Sequence, residues 1–284
     1  MMAKIALACD SAADIPKEAV AAHNIHVLPL TVIFGEEALK EGVDISVEAF
    51  YERVQAEETL PTTSQPPLGE FVALYEQLAE EGYEDVIFVT LAATISGTNQ
   101  TAQTAATMVD GIRVHVFDSQ IATYPEGFYV LEAAQMIEQG QDVPAILERL
   151  ESIRTRGIEA YFMVDDLNHL HRGGRLTGAQ AFIGSLLRMK PLLSFENSGI
   201  HPKEKIRTKK KAIQRLKEIF AEKYTKDKPI RMAALHAHSP EDAEAFKAWV
   251  NDVYPEVDII TTSIGPVIGT HVGTGTVAIV WYEK

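Results

Sequence analysis

The chain has 284 residues, which is enough for one large domain or two modest ones. Its 40 acidic residues against 26 Lys and Arg give a formal net charge of −14, which argues against nucleic acid as the main partner because phosphate binding requires positive charge. Apolar residues at 46% and charged residues at 23% are typical of a globular protein and exclude a disordered chain.

The apolar pattern and the cysteine content predict a cytoplasmic protein. No apolar run reaches the roughly 18 residues of a membrane-spanning helix, so we expect no stable membrane anchor. The first residues, Met1-Met2-Ala3-Lys4, do not have the pattern of a signal peptide. The one cysteine, Cys9, cannot form an internal disulfide, which fits a reducing compartment.

Strand and helix patterns alternate over the first 155 residues. Short apolar runs predict strands at 4–8, 26–34, 86–91 and 112–117. Amphipathic segments predict helices after Asp10, at 47–56, around Glu70, at 97–109, at 127–138 and from 142 to about 154. This alternation predicts a mostly parallel sheet with helices on both faces.

The pattern changes after Gly157. Strands are predicted at 160–164, 192–196, 200–206, 231–237, 258–263 and 276–281, and helices at 178–187, 209–221 and 240–250. Asn197-Ser198-Gly199 is a turn sequence typical of a hairpin. We therefore predict an α/β protein of two domains, 1–155 with the parallel sheet and 156–284 with a smaller mixed or antiparallel α/β arrangement.

Hydroxyl side chains follow several of the predicted strands. In open α/β sheets, ligands bind at the carboxyl ends of strands, where hydroxyls and helix N-termini donate hydrogen bonds to an anion or a carbonyl. Ser, Thr and Asp are also the ordinary helix-capping residues. We interpret Ser11, Asp14 and Ser119 as caps. For Thr63 and Ser96 we favour a binding role, because the neighbouring prolines and glycine leave backbone without bulky side chains close to these hydroxyls.

A glycine-rich segment, residues 265–275, surrounds His271 and precedes a predicted strand. It is not a dinucleotide fingerprint, and the chain has no nucleotide phosphate loop. A structural role and a binding role for His271 remain equally open. The pairs His169/His171 and His236/His238 have no obvious third ligand, so we expect no metal site.

Two basic segments stand out in this acidic chain. One is the turn Arg172-Gly173-Gly174-Arg175, and the other is a basic run over residues 203–217. Such a run is usually a solvated helix face. The alternative is a docking patch for phosphate or for an acidic partner, and the sequence leaves both open.

Eight short segments, in order along the whole chain, resemble motifs of the DegV family. They are Cys9-Asp10-Ser11 with Asp14-Ile15-Pro16, Thr62-Thr63-Ser64-Gln65-Pro66 with Gly69-Glu70-Phe71, Ile95-Ser96-Gly97-Thr98, Phe117-Asp118-Ser119, Leu170-His171-Arg172-Gly173-Gly174-Arg175-Leu176, Met189-Lys190-Pro191, Ile206-Arg207-Thr208, and Gly265-Pro266 with His271-Val272-Gly273-Thr274-Gly275. The chain departs from the family at Cys9, where Thr is usual, and at Ala92 and Ala93, where serines are frequent. These departures affect hydrogen bonding near the expected site.

The resemblance implies the fatty-acid-binding subunit of a bacterial fatty acid kinase. A long-chain fatty acid would lie between the two domains, with its carboxylate bound by Thr63, Ser96 and His271. A separate kinase subunit would bind ATP and Mg²⁺ and convert the acid to an acyl phosphate for phospholipid synthesis. Arg175 and Arg207 would dock that subunit. The chain itself would need no cofactor and no metal and would not be an enzyme.

Three other interpretations remain open at this point. The chain could be an independent acyl-transfer or hydrolytic enzyme with Ser96 as nucleophile and His271 as base, although it lacks a G-x-S-x-G motif. It could transfer phosphate through His271. It could also be a regulatory module that binds another hydrophobic ligand.

Overall fold

The computed structural model of the protein describes residues 4–57, 59–176 and 189–284, so the helix predicted at 178–187 lies outside the described residues. The strands are β1 (Ile5–Asp10), β2 (Ile25–Leu28), β3 (Thr31–Phe34), β4 (Glu37–Lys40), β5 (Thr62–Ser64), β6 (Asp85–Thr90), β7 (Arg113–Asp118), β8 (Glu159–Met163), β9 (Lys190–Glu196), β10 (Gly199–Ile206), β11 (Ile230–His236), β12 (Asp258–Ser263) and β13 (Val277–Glu283).

Most helices follow the predicted amphipathic segments. The helices are α1 (Lys17–Ala22), α2 (Val47–Ala56), α3 (Leu68–Glu80), α4 (Thr98–Ala106), α5 (Tyr124–Glu138), α6 (Val143–Arg156), α7 (Asn168–Arg172), α8 (Lys209–Lys223), α9 (Pro240–Val253) and α10 (Pro266–Val272). Two of them, α7 and α10, lie where no helix was predicted. A short 3₁₀ turn, Ser11–Ala13, follows β1.

The described residues divide into two compact units. The N-terminal unit holds the residues up to Ile45 together with Thr63–Thr155, and the C-terminal unit holds those of Ser46–Thr62 and Arg156–Lys284. The chain passes from the N-terminal to the C-terminal unit after residue 155, close to the predicted domain boundary. Residues 46–62 also belong to the C-terminal unit, which a single predicted boundary did not anticipate.

The sheet of the N-terminal unit is parallel, with strand order β2-β1-β6-β7. One face is covered by α3 and α4, because Ala6 and Ala8 of β1 share a core cluster with Phe71 and Tyr75 of α3. The other face carries α5, which contacts β1 and β6. Since successive strand residues point to opposite faces, this two-sided burial explains why every residue of β6 is buried.

The predicted strand at 26–34 is two strands in the structure. Pro29 lies between β2 and β3, and proline cannot donate a hydrogen bond to a neighbouring strand. After this break β3 leaves the parallel sheet and pairs antiparallel with β4, and a separate sheet forms in the order β4-β3-β5.

The sheet of the C-terminal unit is mixed, with strand order β10-β9-β8-β13-β11-β12. The pair β11–β12 is parallel and the other pairs are antiparallel. The predicted hairpin is confirmed between β9 and β10, where Asn197 and Ser198 have φ of +49° and +60°. Two consecutive positive φ values match the twist that a tight hairpin requires. The α/β fold with one parallel and one mixed sheet is therefore confirmed.

Helix α2 belongs to the C-terminal unit because of its buried aromatic residues. Ser46 caps the helix, with its hydroxyl accepting from the backbone N–H of Ala49 at 3.2 Å. Phe50 and Tyr51 are buried, and the Tyr51 hydroxyl donates to the carbonyl of Ile264 at 2.8 Å. These contacts explain why residues 46–62 group with a part of the chain that lies far away in sequence.

Candidate functional site

The end of β1 is organised by Asp10 and Ser11. The Asp10 carboxylate accepts from the N–H of Ala12 at 3.0 Å and so caps the 3₁₀ turn. The predicted capping role of Ser11 is wrong. Its hydroxyl instead accepts from the N–H of Leu30 at 3.0 Å and donates to the carboxylate of Glu41, which ties β1 to the residues around β3 and β4.

Asp14 and Ser119 also have local roles in the N-terminal unit. Asp14 ends the 3₁₀ turn in a left-handed conformation, with φ of +49°. The Ser119 hydroxyl accepts from the N–H of Ile121 at 3.3 Å and donates to its carbonyl at 3.1 Å. Both residues shape the turns after their strands, but the residues that precede α1 and α5 are Pro16 and Thr123, so the prediction that Asp14 and Ser119 cap these helices is wrong.

Ser96 lies half-buried at the start of α4. Its hydroxyl accepts from the N–H of Thr98 at 3.3 Å and lies 2.9 Å from the Thr98 hydroxyl. The side chain therefore helps to begin the helix, so any ligand it binds would meet a hydroxyl whose position is already fixed by the helix N-terminus.

Gln65 holds the Thr63 segment against the Ser96 loop. Its amide nitrogen donates to the Thr101 hydroxyl at 2.5 Å. A Cβ atom on Gly97 would lie only 2.1 Å from the Gln65 amide oxygen, so a larger residue at position 97 would displace the Gln65 amide from its present place. The structure thus brings the segments that carry Thr63 and Ser96 together. The sequence places Gln65 within a family motif, but sequence reasoning missed this positioning role.

The three positions that depart from the family pattern lie at the same sheet edge. Cys9 is fully buried, and burial raises the pKa of its thiol well above its usual range, which makes it an unreactive packed residue. Ala92 donates its N–H to the carbonyl of Ile121 at 2.7 Å, and Ala93 donates its N–H to the Asp118 carboxylate at 3.2 Å. The backbone at 92–93 is therefore held without serine side chains.

His271 lies in the last turn of α10, within the C-terminal unit. No helix was predicted in the glycine-rich segment, but Pro266 at the first helical turn and the backbone bond from Gly269 N–H to the Gly265 carbonyl at 2.7 Å begin a helix there. A Cβ atom on Gly173 would lie 2.3 Å from Nδ1 of His271, so the bare glycine makes room for the imidazole.

The surroundings of His271 keep its imidazole neutral. Burial, together with the positive charge of Arg175 and the neighbouring His169, lowers the pKa of His271 to about 4. His169 is itself placed by a 3.3 Å contact between its Nδ1 and the carbonyl of Thr270. A neutral imidazole can donate one hydrogen bond and accept another near neutral pH.

Arg175 and Arg207 have different environments, although the sequence placed both on one basic rim. Arg175 is half-buried, its guanidinium donates to the carbonyl of Gly173, and its charge acts on His271. Arg207 is exposed between β10 and the Thr208 cap of α8. The structure therefore places the charge of Arg175 where it acts on His271, and it leaves Arg207 exposed at the surface.

Much of the basic run is neutralised by ion pairs. Lys203 pairs with Glu196 at 2.7 Å, Lys209 pairs with Asp242 at 2.7 Å, and Arg215 pairs with three glutamates. Among the residues that the structure describes, Arg207, Lys210 and Lys211 are exposed and have no ion pair. The unpaired positive surface is thus smaller than the sequence indicates.

Membrane-spanning helices and metal clusters are both absent from residues 4–57, 59–176 and 189–284. None of the helices there is long and apolar enough to cross a membrane. No cluster of three or more His, Cys, Asp or Glu side chains in those ranges is arranged to hold a metal ion.

Comparison with known proteins identifies the family. A family model described as "Uncharacterised protein, DegV family" matches residues 4–284. Protein DegV of Bacillus subtilis is 48% identical over 281 residues, which is 99% of each chain. This chain belongs to the DegV family.

Solved DegV structures share the fold over the full length. The crystal structure of Bacillus subtilis DegV, described as a fatty acid binding protein, has a TM-score of 0.93 at 47% identity and covers 100% of both chains. A DegV family protein from Thermus thermophilus, described by its fatty acid binding, has a TM-score of 0.91 at 31% identity and covers 99% of this chain and 100% of its own. DegV relatives with this fold therefore bind fatty acids.

Proposed function

We propose that this protein binds a long-chain fatty acid and presents its carboxylate to a separate ATP-dependent kinase subunit, which converts the acid to an acyl phosphate. The observation that carries the lipid-binding part is the full-length similarity to DegV proteins described as fatty acid binding, one of them 47% identical. The proposal places the protein in the cytoplasm, where the partner finds ATP.

We assign the carboxylate to the hydroxyls of Thr63 and Ser96 and the imidazole of His271. With its pKa lowered to about 4, His271 is neutral near pH 7 and binds a carboxylate by hydrogen bonding without a full ion pair. Such neutral donors leave the carboxylate oxygens nucleophilic enough to attack a phosphoryl group. Affinity would come from the tail, since each buried methylene contributes about 0.8 kcal/mol and a tail of roughly sixteen carbons contributes on the order of 10 kcal/mol before ordering costs.

ATP and Mg²⁺ are assigned to the partner, because the sequence has no nucleotide phosphate loop. Arg175 beside His271 would face the charge that develops as the carboxylate is phosphorylated, and exposed Arg207 would contact the kinase subunit. In this assignment the chain has no turnover of its own. A histidine with a pKa of about 4 is a weak general base near neutral pH, so the alternative of a Ser96–His271 hydrolase has less support.

The lipid-binding proposal is tested by mass spectrometry of lipid extracted from the purified native protein. We expect about one long-chain fatty acid per chain. The absence of bound fatty acid, together with no uptake of added fatty acid, would contradict the proposal. Esterase activity of the purified chain would instead support the hydrolase.

The partner role is tested by acyl phosphate formation with the ATP-binding kinase subunit of the same organism. We expect Arg207→Ala to slow phosphorylation most at low kinase concentration and to leave the fatty acid content unchanged, because a surface charge acts mainly on association. Arg175→Ala should reduce phosphorylation at every kinase concentration. Exposed Lys226→Ala is the matched control. Normal phosphorylation by the Arg175/Arg207 double variant would contradict a role of either arginine in phosphorylation.

A further inference from the structure

A buried carboxyl group in the N-terminal unit has no assigned role. Glu126 lies in the first turn of α5, and its side chain is fully buried. Among the described residues, neither of its carboxyl oxygens has a hydrogen-bond partner. Buried carboxylates are normally paired or hydrogen-bonded, because an isolated charge loses its hydration without compensation. Glu126 therefore requires an explanation beyond packing.

The first turn of α5 is packed tightly against the 3₁₀ turn that follows β1. A Cβ atom on Gly127 would lie 2.8 Å from the carbonyl oxygen of Ala13, so only glycine permits this approach. Tyr124 and Phe128, on either side of Glu126, are also buried. Water cannot reach the Glu126 carboxyl unless this turn of the helix moves.

The titratable groups whose charge interacts with that of Glu126 are all acidic. They are Cys9 and Asp10 on β1, Asp14 after the 3₁₀ turn, Glu41 after β4 and Asp118 at the end of β7. Arg154 of α6 donates to the backbone carbonyl of Asp118, and its charge is paired with Glu151. A carboxylate at position 126 would thus meet repulsion in addition to the loss of hydration.

Burial and repulsion both favour the protonated acid. Burial raises the pKa of Glu126 well above its usual range, and the negative charge of Asp10 raises it further. Burial also raises the pKa of Asp10 to about 7, although two backbone N–H groups oppose this rise. The N-terminus of α5 favours an anion, but that effect is weaker than the cost of burying a charge.

These two acids are connected to the loop that carries Ser96. Asp10 accepts from the N–H of Leu91 at 2.9 Å, and the next residue, Ala92, donates to the carbonyl of Ile121 at 2.7 Å. The segment from Ile121 to α5 includes Thr123, whose φ of +63° is a strained conformation for a β-branched residue. Leu91–Ser96 is thus held on one side by Asp10 and on the other by the strained segment that leads to Glu126.

We propose that Glu126 and Asp10 form a proton-dependent latch that keeps the first turn of α5 and the loop 91–97 closed, and that loss of the protons opens both. We define the latch as these two carboxyl groups. The opening exposes Glu126 to water and relieves the strain at Thr123. The opening of loop 91–97 would regulate the ligand site, and this part of the inference rests on the proposed function. The opening of the first turn of α5 is independent of the proposed function.

The direction of the pH effect follows from the raised pKa values. The closed form holds protons more tightly than the open form, so the latch stabilises the fold fully below the ordinary carboxyl pKa and loses this contribution as pH rises towards the raised pKa. For Asp10 this window ends at about 7, and for Glu126 it likewise lies above the ordinary carboxyl pKa. Within the window, the opening equilibrium increases up to tenfold per pH unit for each group.

Amide hydrogen exchange tests the latch directly. Protection factors, which correct for the intrinsic effect of pH on exchange, are measured at about pH 5, 6.5 and 8 for residues 91–97 and 120–127. We expect protection to fall with pH in the parent protein and much less in Glu126→Gln, whose amide does not ionise. Glu138→Gln, at the exposed end of the same helix, is the matched control and should behave like the parent. An unchanged pH dependence in Glu126→Gln would overturn the proposal.

A second measurement needs no variant. Infrared spectra of protein with ¹³C-labelled glutamate report a protonated glutamic acid by its carbonyl stretch. We expect this band at neutral pH in the folded parent protein and expect it to disappear on unfolding. Its absence in the folded protein would overturn the proposal even if Glu126→Gln fails to fold.

Release of a fluorescent fatty acid connects the latch to ligand binding. We expect the release rate to rise with pH in the parent protein and to rise much less in Glu126→Gln, in which only Asp10 still ionises. A chain that binds fatty acid but releases it at a pH-independent rate would overturn the effect on the loop. A chain that binds no fatty acid would contradict the proposed function, while the exchange and infrared results would still decide the latch.

Discussion

Glu126 of the N-terminal unit and His271 of the C-terminal unit respond to burial in opposite ways. Burial raises the pKa of the glutamate, which keeps its proton, and lowers the pKa of the histidine, which loses it. Burial therefore favours the neutral form of both groups, because a buried site disfavours whichever form is charged. The comparison teaches that one physical effect gives the two units opposite pH responses, with the N-terminal unit losing stability towards alkaline pH and the C-terminal unit towards acidic pH.

The largest effect is expected from a variant that displaces the His271 imidazole. Gly173→Val adds a side chain whose Cβ atom would lie only 2.3 Å from Nδ1 of His271, so the imidazole or the turn must move. We expect a loss of roughly 3 kcal/mol in unfolding free energy, at the upper end for overpacking, and loss of fatty acid binding. Urea denaturation and lipid content measure these two effects.

Two glycines provide controls for this variant. Gly69→Ala meets no atom within 4 Å and tests the substitution itself, and Gly174→Ala meets none but has φ of +70°, so it tests backbone strain. We expect the first to be nearly neutral and the second to cost about 1 kcal/mol without loss of binding. Equal loss of binding in Gly174→Ala and Gly173→Val would show that the turn, and not the space for His271, matters.

The unfolding free energy at acidic pH tests the response of His271 to burial. Because the pKa of His271 falls from 6.5 to about 4 on folding, the unfolded chain binds a proton more readily, and stability is lost as pH falls between these values. The difference corresponds to roughly 3 kcal/mol. Unfolding free energies of the parent and of His271→Gln across this range should diverge. Exposed His171→Gln should follow the parent, and a His271 NMR resonance that titrates near 6.5 would contradict the expectation.

A smaller effect is expected at Ser96. Ser96→Ala removes the 3.3 Å bond from the Thr98 N–H beside the N-cap Gly97, which should cost about 1 kcal/mol of stability, as for a typical hydrogen bond. If the hydroxyl also binds the carboxylate, fatty acid affinity falls by a further ~1.5–3 kcal/mol while the fold is kept. Isothermal titration of delipidated protein measures the affinity. Exposed Ser64→Ala is the control, and parent-like affinity in Ser96→Ala would reduce Ser96 to its structural role.

The sequence predicts elements well where the signal is local. The hairpin at Asn197-Ser198 and the cap of α2 at Ser46 both follow from side chains and backbone within a few residues. The Asp142 carboxylate likewise accepts from the Ala145 N–H at 3.0 Å, where a helix start was predicted. Short elements gave weaker signals. The helix α10, which begins at Pro266, was not predicted because the glycines of residues 265–275 are unfavourable in helices.

Features set by tertiary packing could not be predicted from the sequence. Ser11 has the composition of a cap, yet its hydroxyl bonds to Leu30 and Glu41 because these residues arrive from elsewhere in the unit. Glu126 looks like an ordinary acidic residue in a first helical turn, where the helix dipole favours negative charge. Only the approach of α5 to the 3₁₀ turn shows that this carboxyl is buried. The positions of Thr63, Ser96 and His271 as a set remain a prediction.

The hydrogen bond from Tyr51 to Ile264 has a consequence for how the protein is made. The two residues are 213 positions apart, and ribosomes add about 5–20 residues per second, so roughly 10–40 s separate their synthesis. Throughout this interval the nascent chain carries an amphipathic helix whose Phe50 and Tyr51 lack the residues that bury them in the finished protein. We expect chaperones to bind this segment during translation, and a polypeptide arrested near Thr155 to be cleared by proteases.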